Sequence, residues 1–204
     1  MRLNVNAAAQ VYKKGLIDLE SMVRATEKAV ISESDHALLV TNINFFTKSF
    51  LISTCAHLEM CVKEIVFTLA ADLDERLSLA SVPTSIIEWR YSQKKKSDAA
   101  NSQTQRLGIG MTRKEVDDLV SGNVYRTKDA LALVGVDLAV DKAKWEAWND
   151  LIQSMVTRRN NIVHHNDAAS DLSLGDIRQY VTSTIVYIDF IVAASEAANK
   201  QLSK

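Results

Sequence analysis

Proline occurs once in 204 residues and glycine six times, against usual levels of roughly 5% and 7%. Sheets and long loops need both residues for their turns, so this scarcity excludes a β-rich architecture and leaves an all-α chain. An excess of one charge sign is also missing. The 24 basic and 25 acidic side chains leave a net charge of −1, which argues against holding nucleic acid mainly by bulk electrostatics. An enzyme that meets RNA briefly at a small site stays open. No run of about 18 apolar residues is free of charge, so no membrane span is expected. The opening MRLNVNAAAQVYKKG lacks the apolar stretch of a secretory signal. The only cysteines are Cys55 and Cys61. On one helix they stand about 9 Å apart along the axis, beyond the reach of a disulfide. They read as reduced core thiols of a cytoplasmic protein, outside any metal-ligand spacing.

What is present is helical patterning. With 47% apolar residues, the length suits one domain, 1–204, able to bury a core of its own. A first helix is predicted from Ala7 to Ile31, an outer amphipathic helix with the stripe Ala8, Tyr12, Leu16, Leu19, Val23, Thr26 and Val30. After SESDH a second helix is predicted from His36 to Asp72. It is apolar nearly all round and therefore central. Glu59 interrupts its run CAHLEMCVKEIV, either as an exposed residue on a thin polar side or as a placed buried acid.

Residues 83–139 read as an elaboration of the bundle, because they hold too few large apolar side chains for a core of their own. Pro83 and SIIEWRYSQKKK lead into a polar loop, about 92–110, expected to be mobile. Thr112 and Glu115 form a capping box for a short helix to Val120, ended by Gly122. Another runs from Thr127 to Val134, stopped by Gly135. Helix resumes from Val140 to His164. Ser173 caps the last helix, 174–200, with Asp176 at its third position. The expected fold is a bundle of four to five main helices whose core lies between 36–72 and 174–200.

The segment KAKWEAWNDLIQSMVTRRNNIVHHND carries the chemistry. Its apolar stripe runs Trp145, Trp148, Ile152, Met155, then position 159, then Ile162. Where the pattern asks for a hydrophobe the chain supplies Arg159, which is costly on a buried face unless it is paired or faces a ligand. Asn160 and His164, four apart, lie on an adjacent face, with Arg158 and His165 beside them. A purely structural account also exists, because the helix dipole and open carbonyls favour Arg, Asn and His at a helix C-terminus.

The run RRNNIVHH resembles the R-x(4–6)-H motif of HEPN domains, small all-helical proteins of which many are metal-independent RNases. The match is closest at Arg159, Asn160 and His164. Arg158 with His164 or His165, and Arg159 with His165, also fit the spacing. The second-helix run STCAHLEMCVKEIV is similar to the region where RiboL-PSP-type HEPN proteins carry a conspicuous Glu, here Glu59. The resemblance covers 36–72 and 140–200. It implies an endoribonuclease without cofactor or metal. His164 would serve as base or acid, Arg159 would hold the phosphate and Asn160 would assist, with Glu59, Arg158 and His165 in support.

These residue types suit RNA cleavage. The 2′-OH is a built-in nucleophile, and an imidazole can take its proton at neutral pH. A guanidinium stays charged and offers a fork to the phosphate. The resemblance further implies a homodimer with two motifs in one cleft, and a regulated setting such as a toxin–antitoxin pair or antiphage defence, with an antitoxin or regulator as partner. Some HEPN toxins carry a Tyr two residues after the motif His, which the antitoxin modifies. Here that position is Asn166, which puts that form of silencing in doubt.

Other features are weaker. Lys94, Lys95, Lys96, Arg90 and Arg106, near Trp89 and Tyr91, form either a solvated charge run or an RNA-backbone contact with aromatic stacking. His36 and His57 read as a helix-start and a core histidine, and Asp189 as a partner for Arg158 or Arg159. GIG at Gly108–Gly110 is too short for a phosphate loop. The alternative to an enzyme is a non-catalytic HEPN-like module that holds a nucleotide, RNA or another partner in the same basic notch.

Overall fold

A computed structural model describes residues 4–32, 37–80, 85, 109–165, 169 and 171–201. The expected loop 92–110 lies almost wholly outside these residues. So do Lys94, Lys95, Lys96, Arg90, Arg106, Trp89, Tyr91, His36, Gly108 and Asn166. Among the described residues there is no strand. The helices are α1 (Val5–Ile31), α2 (Ala37–Thr41), α3 (Ile43–Leu79), α4 (Arg113–Leu119), α5 (Val124–Leu133), a 3-10 turn (Leu138–Val140), α6 (Lys142–His165) and α7 (Leu174–Gln201). The all-α bundle is therefore as expected, with α1, α3, α6 and α7 as its long members.

Helix α1 starts where the Asn4 side chain accepts from the Ala7 N–H at 3.1 Å, which satisfies one of the open donors of the first turn. Val5, Ala9, Leu16, Leu19 and Val23 are buried, close to the expected stripe. As expected, α1 packs one face beside the two central helices, and its main interfaces are with α3 and with α7. Small residues allow the approach. A Cβ on Gly15 would stand 2.5 Å from His57 Nε2, so glycine leaves room for the imidazole of α3 to lie against α1. His57 is half-buried, and its Nδ1 lies 2.8 Å from the Ser53 carbonyl.

The second helix differs from expectation at both ends. It is broken at Asn42, whose side-chain amide donates to the Leu38 carbonyl at 2.9 Å and competes with the helical ladder. It then runs past Asp72 to Leu79. Asp72 is buried, not terminal, because Arg76 pairs with it and also bonds Asn199 of α7. Leu51, Cys55, Leu58, Cys61, Val62, Ile65, Val66 and Leu69 fill the core side of α3. Phe45, Ile52 and Met60 leave one stripe exposed, so the helix is not apolar-buried all round.

The elaboration joins the same core, to which it contributes Val116, Val120, Val124, Leu131, Val136 and Leu138. The Thr112–Glu115 capping box is present on α4. Arg113 lies over the Phe67 ring at 3.9 Å and pairs with Glu64, which fastens α4 to α3. Helix α5 begins three residues before expectation, because the Asn123 side chain caps it by accepting from the Tyr125 and Arg126 N–H groups. Gly135 stops it at φ 84°, a left-handed position that favours glycine.

Ser173 and Asp176 form a second capping box. Asp176 accepts from the Ser173 N–H at 2.8 Å, and Ser173 Oγ accepts from the Asp176 N–H at 3.0 Å. The side-chain and then the backbone bond from Ser173 hold the Asp176 carboxyl below its ordinary value. A carboxylate with a lowered folded pKa stabilises above its unfolded value, about 3.9, and loses that contribution as pH falls through the folded value. Ser173→Ala is therefore expected to cost about 1 kcal/mol at neutral pH. In urea titrations the gap to the parent should be full above about pH 5 and shrink in acid.

By length and composition α7 is long and apolar enough to cross a membrane. Here it buries Ile177, Val181, Tyr187, Ile188 and Ile191 in the bundle core, which it shares with α1 and α3. Asp189 pairs with Lys13 of α1 at 2.5 Å, not with Arg158 or Arg159. It lies on the side of α7 that meets α1.

Candidate functional site

Arg159 occupies the position its stripe reserved for a hydrophobe. Trp145, Ile152, Met155, Val156 and Ile162 of α6 are buried around that stripe. The guanidinium ends at the edge of the core, where its side chain keeps 21% of its exposure, and Nη2 lies 3.4 Å from Glu59 Oε2. Glu59 is neither of the simple alternatives. It is three-quarters buried and doubly paired, because Lys63 Nζ also lies 2.9 Å from it. Lys63 in turn reaches Asp117 of α4 at 3.1 Å. A carboxylate between two cations is compensated for its burial.

Two further neighbours bound the guanidinium. Cys55, one turn before Glu59 on the same face of α3, lies beneath it. Burial pushes this thiol up to about 11, and Arg159 offsets part of that shift. Cys61 is pushed up to about 12 by burial. Both are free thiols in the core, as expected. On the other side, a Cβ at Gly122 would stand 3.2 Å from Arg159 Nη2 and 3.3 Å from Val156 Cγ1. The turn between α4 and α5 thus closes tightly on Arg159, and a side chain at 122 would make the guanidinium give by a few tenths of an ångström.

Asn160 is half-buried, and His164 and His165 are exposed in the last turn of α6. Among the described residues the side chains of Asn160 and His164 have no hydrogen-bond partner. Arg159 and His164 are separated by about 140° around the helix, at 100° per residue, with Asn160 between them. Arg158 points elsewhere and pairs with Asp171, which ties α6 to the segment before α7. The Ala169 N–H, buried in that connection, donates to Asn44 at the start of α3 at 2.8 Å. Among the described residues no three His, Cys, Asp or Glu side chains are placed to share a metal ion.

The structure thus brings Arg159, Asn160 and His164 to one end of α6 and places Glu59 on the guanidinium. It commits Arg158 to a structural partner. Sequence reasoning missed three members. Lys63 had a signal in the Glu-then-Lys spacing of four that pairs well on a helix, and Cys55 had one in sharing that face with Glu59. Gly122 had none beyond its role as a helix stop.

Beside this geometry stands one comparison. The family model described as RiboL-PSP-HEPN matches residues 20–197. The chain belongs to the RiboL-PSP family of HEPN domains. The match takes in Glu59, Gly122 and the whole Arg159–His164 segment, and HEPN domains are generally RNase-related. Neither the curated proteins nor the solved structures give a match. Within this HEPN chain, Gly122→Val is expected to push the guanidinium aside. The 3.2 Å contact asks the guanidinium to give by a few tenths of an ångström, so the variant should lose about 1 kcal/mol of stability by overpacking, as read by urea denaturation.

Proposed function

We propose that this HEPN chain is a metal-independent endoribonuclease that cleaves by 2′-OH attack. The observation that carries the reading is Arg159, a guanidinium built into a core stripe yet left open at its edge, within a turn and a half of an imidazole on the same helix that has no partner among the described residues. His164 takes the 2′-OH proton and the 2′ oxygen attacks phosphorus. The bond from phosphorus to the 5′ oxygen then breaks, and an acid protonates the leaving oxygen. Arg159 offers its fork to the non-bridging oxygens, where charge grows, and Asn160 helps to hold the phosphate or the imidazole. The products are a 2′,3′-cyclic phosphate and a 5′-OH, and DNA lacks the nucleophile.

A single Arg–His set supplies one proton-transfer group where two are needed. A homodimer that places two α6 ends across one cleft provides the second, so dimerisation is part of the proposal. So are a cytoplasmic setting and a regulating partner, in a toxin–antitoxin pair or antiphage defence, because an unrestrained RNase harms its host. Glu59 orients the guanidinium and keeps its charge compensated until the phosphate arrives. That same pair favours a second reading, in which Arg159 serves as a binding or structural cation and nothing is cut. Incubating matched RNA and DNA oligonucleotides with the protein in EDTA separates the two. Cleavage confined to RNA is expected, and binding of RNA without cleavage would support the module.

A further inference from the structure

Glu59 carries two cations, and they divide its carboxylate between them. Lys63 Nζ lies 2.9 Å from Oε1, whereas Arg159 reaches Oε2 through Nη2 alone, at 3.4 Å. The closer partner is the one that the cleavage chemistry leaves unused. It sits about one turn beyond Glu59 on α3, in the Glu-then-Lys order that pairs well on a helix. Asp117 of α4 meets the same ammonium at 3.1 Å, so Lys63 is held from both sides. Burial pulls its pKa down, but the bonds to Glu59 and Asp117 outweigh that and hold it above its ordinary value. The ammonium is therefore charged at neutral pH.

A neighbouring pair shows what the lysine prevents. Glu64, further along α3, has Arg113 on both of its oxygens: Nη2 donates to Oε1 at 3.1 Å, and Nη1 donates to Oε2. Two-pronged pairs of this kind are the strong form of the guanidinium–carboxylate contact. They also occupy the fork that a phosphate would use, because carboxylate and phosphate offer it the same pair of oxygens. At Glu59 the Oε1 atom is already taken, so Arg159 is held there by one long contact and not by two.

We propose that Lys63 is a positioning residue that keeps Glu59 from closing on the Arg159 fork, so that the guanidinium is oriented yet available to an RNA phosphate. Lys63 acts through Glu59 and touches no substrate. Asp117 sets its place, which makes α4 a support of the site. The proposal rests on the phosphate-holding role of Arg159 in the ribonuclease reading. Without Lys63, Glu59 turns both oxygens to Arg159, and RNA must break one more charge-assisted bond in order to bind.

The test is a double-mutant cycle on the full chain. Its probe is a 2′-O-methyl heptauridylate, which cannot be cut, and thermal melts verify each variant. Lys63→Met should weaken affinity about tenfold, as one added charge-assisted bond implies. Lys63→Arg keeps a cation on Glu59 and should bind within about twofold of the parent. Glu59→Gln separates this route from a simple loss of positive charge. It removes the competing carboxylate, so it should raise affinity about tenfold more in the Lys63→Met background than in the parent. Lys63→Gln repeats the cycle with a polar side chain, so the outcome does not hang on the folding of one variant. Equal gains in both backgrounds would overturn the proposal, since attraction between separate charges adds. A loss that Glu59→Gln does not repair would also overturn it, as would unchanged binding in folded Lys63→Met or a parent that binds no probe. The two readings can fail separately. Cleavage with equal gains would keep the ribonuclease and remove the role of Lys63, whereas the tenfold coupling in a protein that cuts no RNA would do the reverse.

Discussion

His164→Ala is expected to lower RNA cleavage by about 10²- to 10⁴-fold, the usual contribution of a positioned general base or acid, and to leave the fold intact. The side chain is exposed in the last turn of α6 and without a partner among the described residues, so its removal opens no cavity and orphans no buried group. Stability should therefore stay within about 0.5 kcal/mol of the parent. RNA affinity should be kept, which separates a lost proton-transfer group from a lost contact. His165→Ala is the matched control, because it removes an equally exposed imidazole one position further on. Its cleavage should remain near the parent's. A reversed result, with His165 required and His164 dispensable, would move the motif register by one residue.

Arg159→Ala is expected to cost about 10²- to 10³-fold in kcat, the range for removing one preorganised donor from developing charge. Unlike His164, it also has a structural effect. Glu59 loses one of its two cations but keeps Lys63 at 2.9 Å, so its carboxylate is not orphaned. Stability should fall by about 1 kcal/mol, the upper end for partly exposed pairs, as read by urea denaturation. Arg159→Lys keeps the charge and loses the fork, so it should recover stability and only part of the activity. Cys55 does not step in when the guanidinium leaves. Arg159 lowers its pKa, so removing that cation raises the thiol further and keeps it protonated. Residual activity in the variant should therefore be insensitive to thiol alkylation.

Much of the bundle was legible because period and capping are local. The stripe Tyr12, Leu16, Leu19, Val23, the Thr112–Glu115 and Ser173–Asp176 boxes and the stop at Gly135 need only neighbouring residues, and all are present. The break at Asn42 and the extension to Leu79 were not legible. The first depends on one side chain turning back onto a carbonyl, the second on Arg76 reaching Asn199, 123 positions away. The one-sided α1 packs on both α3 and α7, and what its stripe does not reveal is that Gly15 leaves room there for the His57 imidazole.

The candidate site divides the same way. A misplaced Arg in an apolar stripe points to position 159 in one dimension, and its spacing to Asn160 and His164 belongs to a single helix. What holds the guanidinium comes from elsewhere: Glu59 and Cys55 on α3, and Gly122 between α4 and α5. Such long-range partners leave little mark on a single sequence. Asp189 shows the cost of guessing them, since its charge answers Lys13 and not the arginines of α6.

The most direct test of the account is end-group analysis of one defined RNA after incubation in EDTA with the parent chain, Arg159→Ala and His164→Ala, each verified as folded. The account predicts 2′,3′-cyclic phosphate and 5′-OH ends from the parent and from neither variant. Equal cleavage by all three folded proteins, or 5′-phosphate ends from the parent, would contradict it.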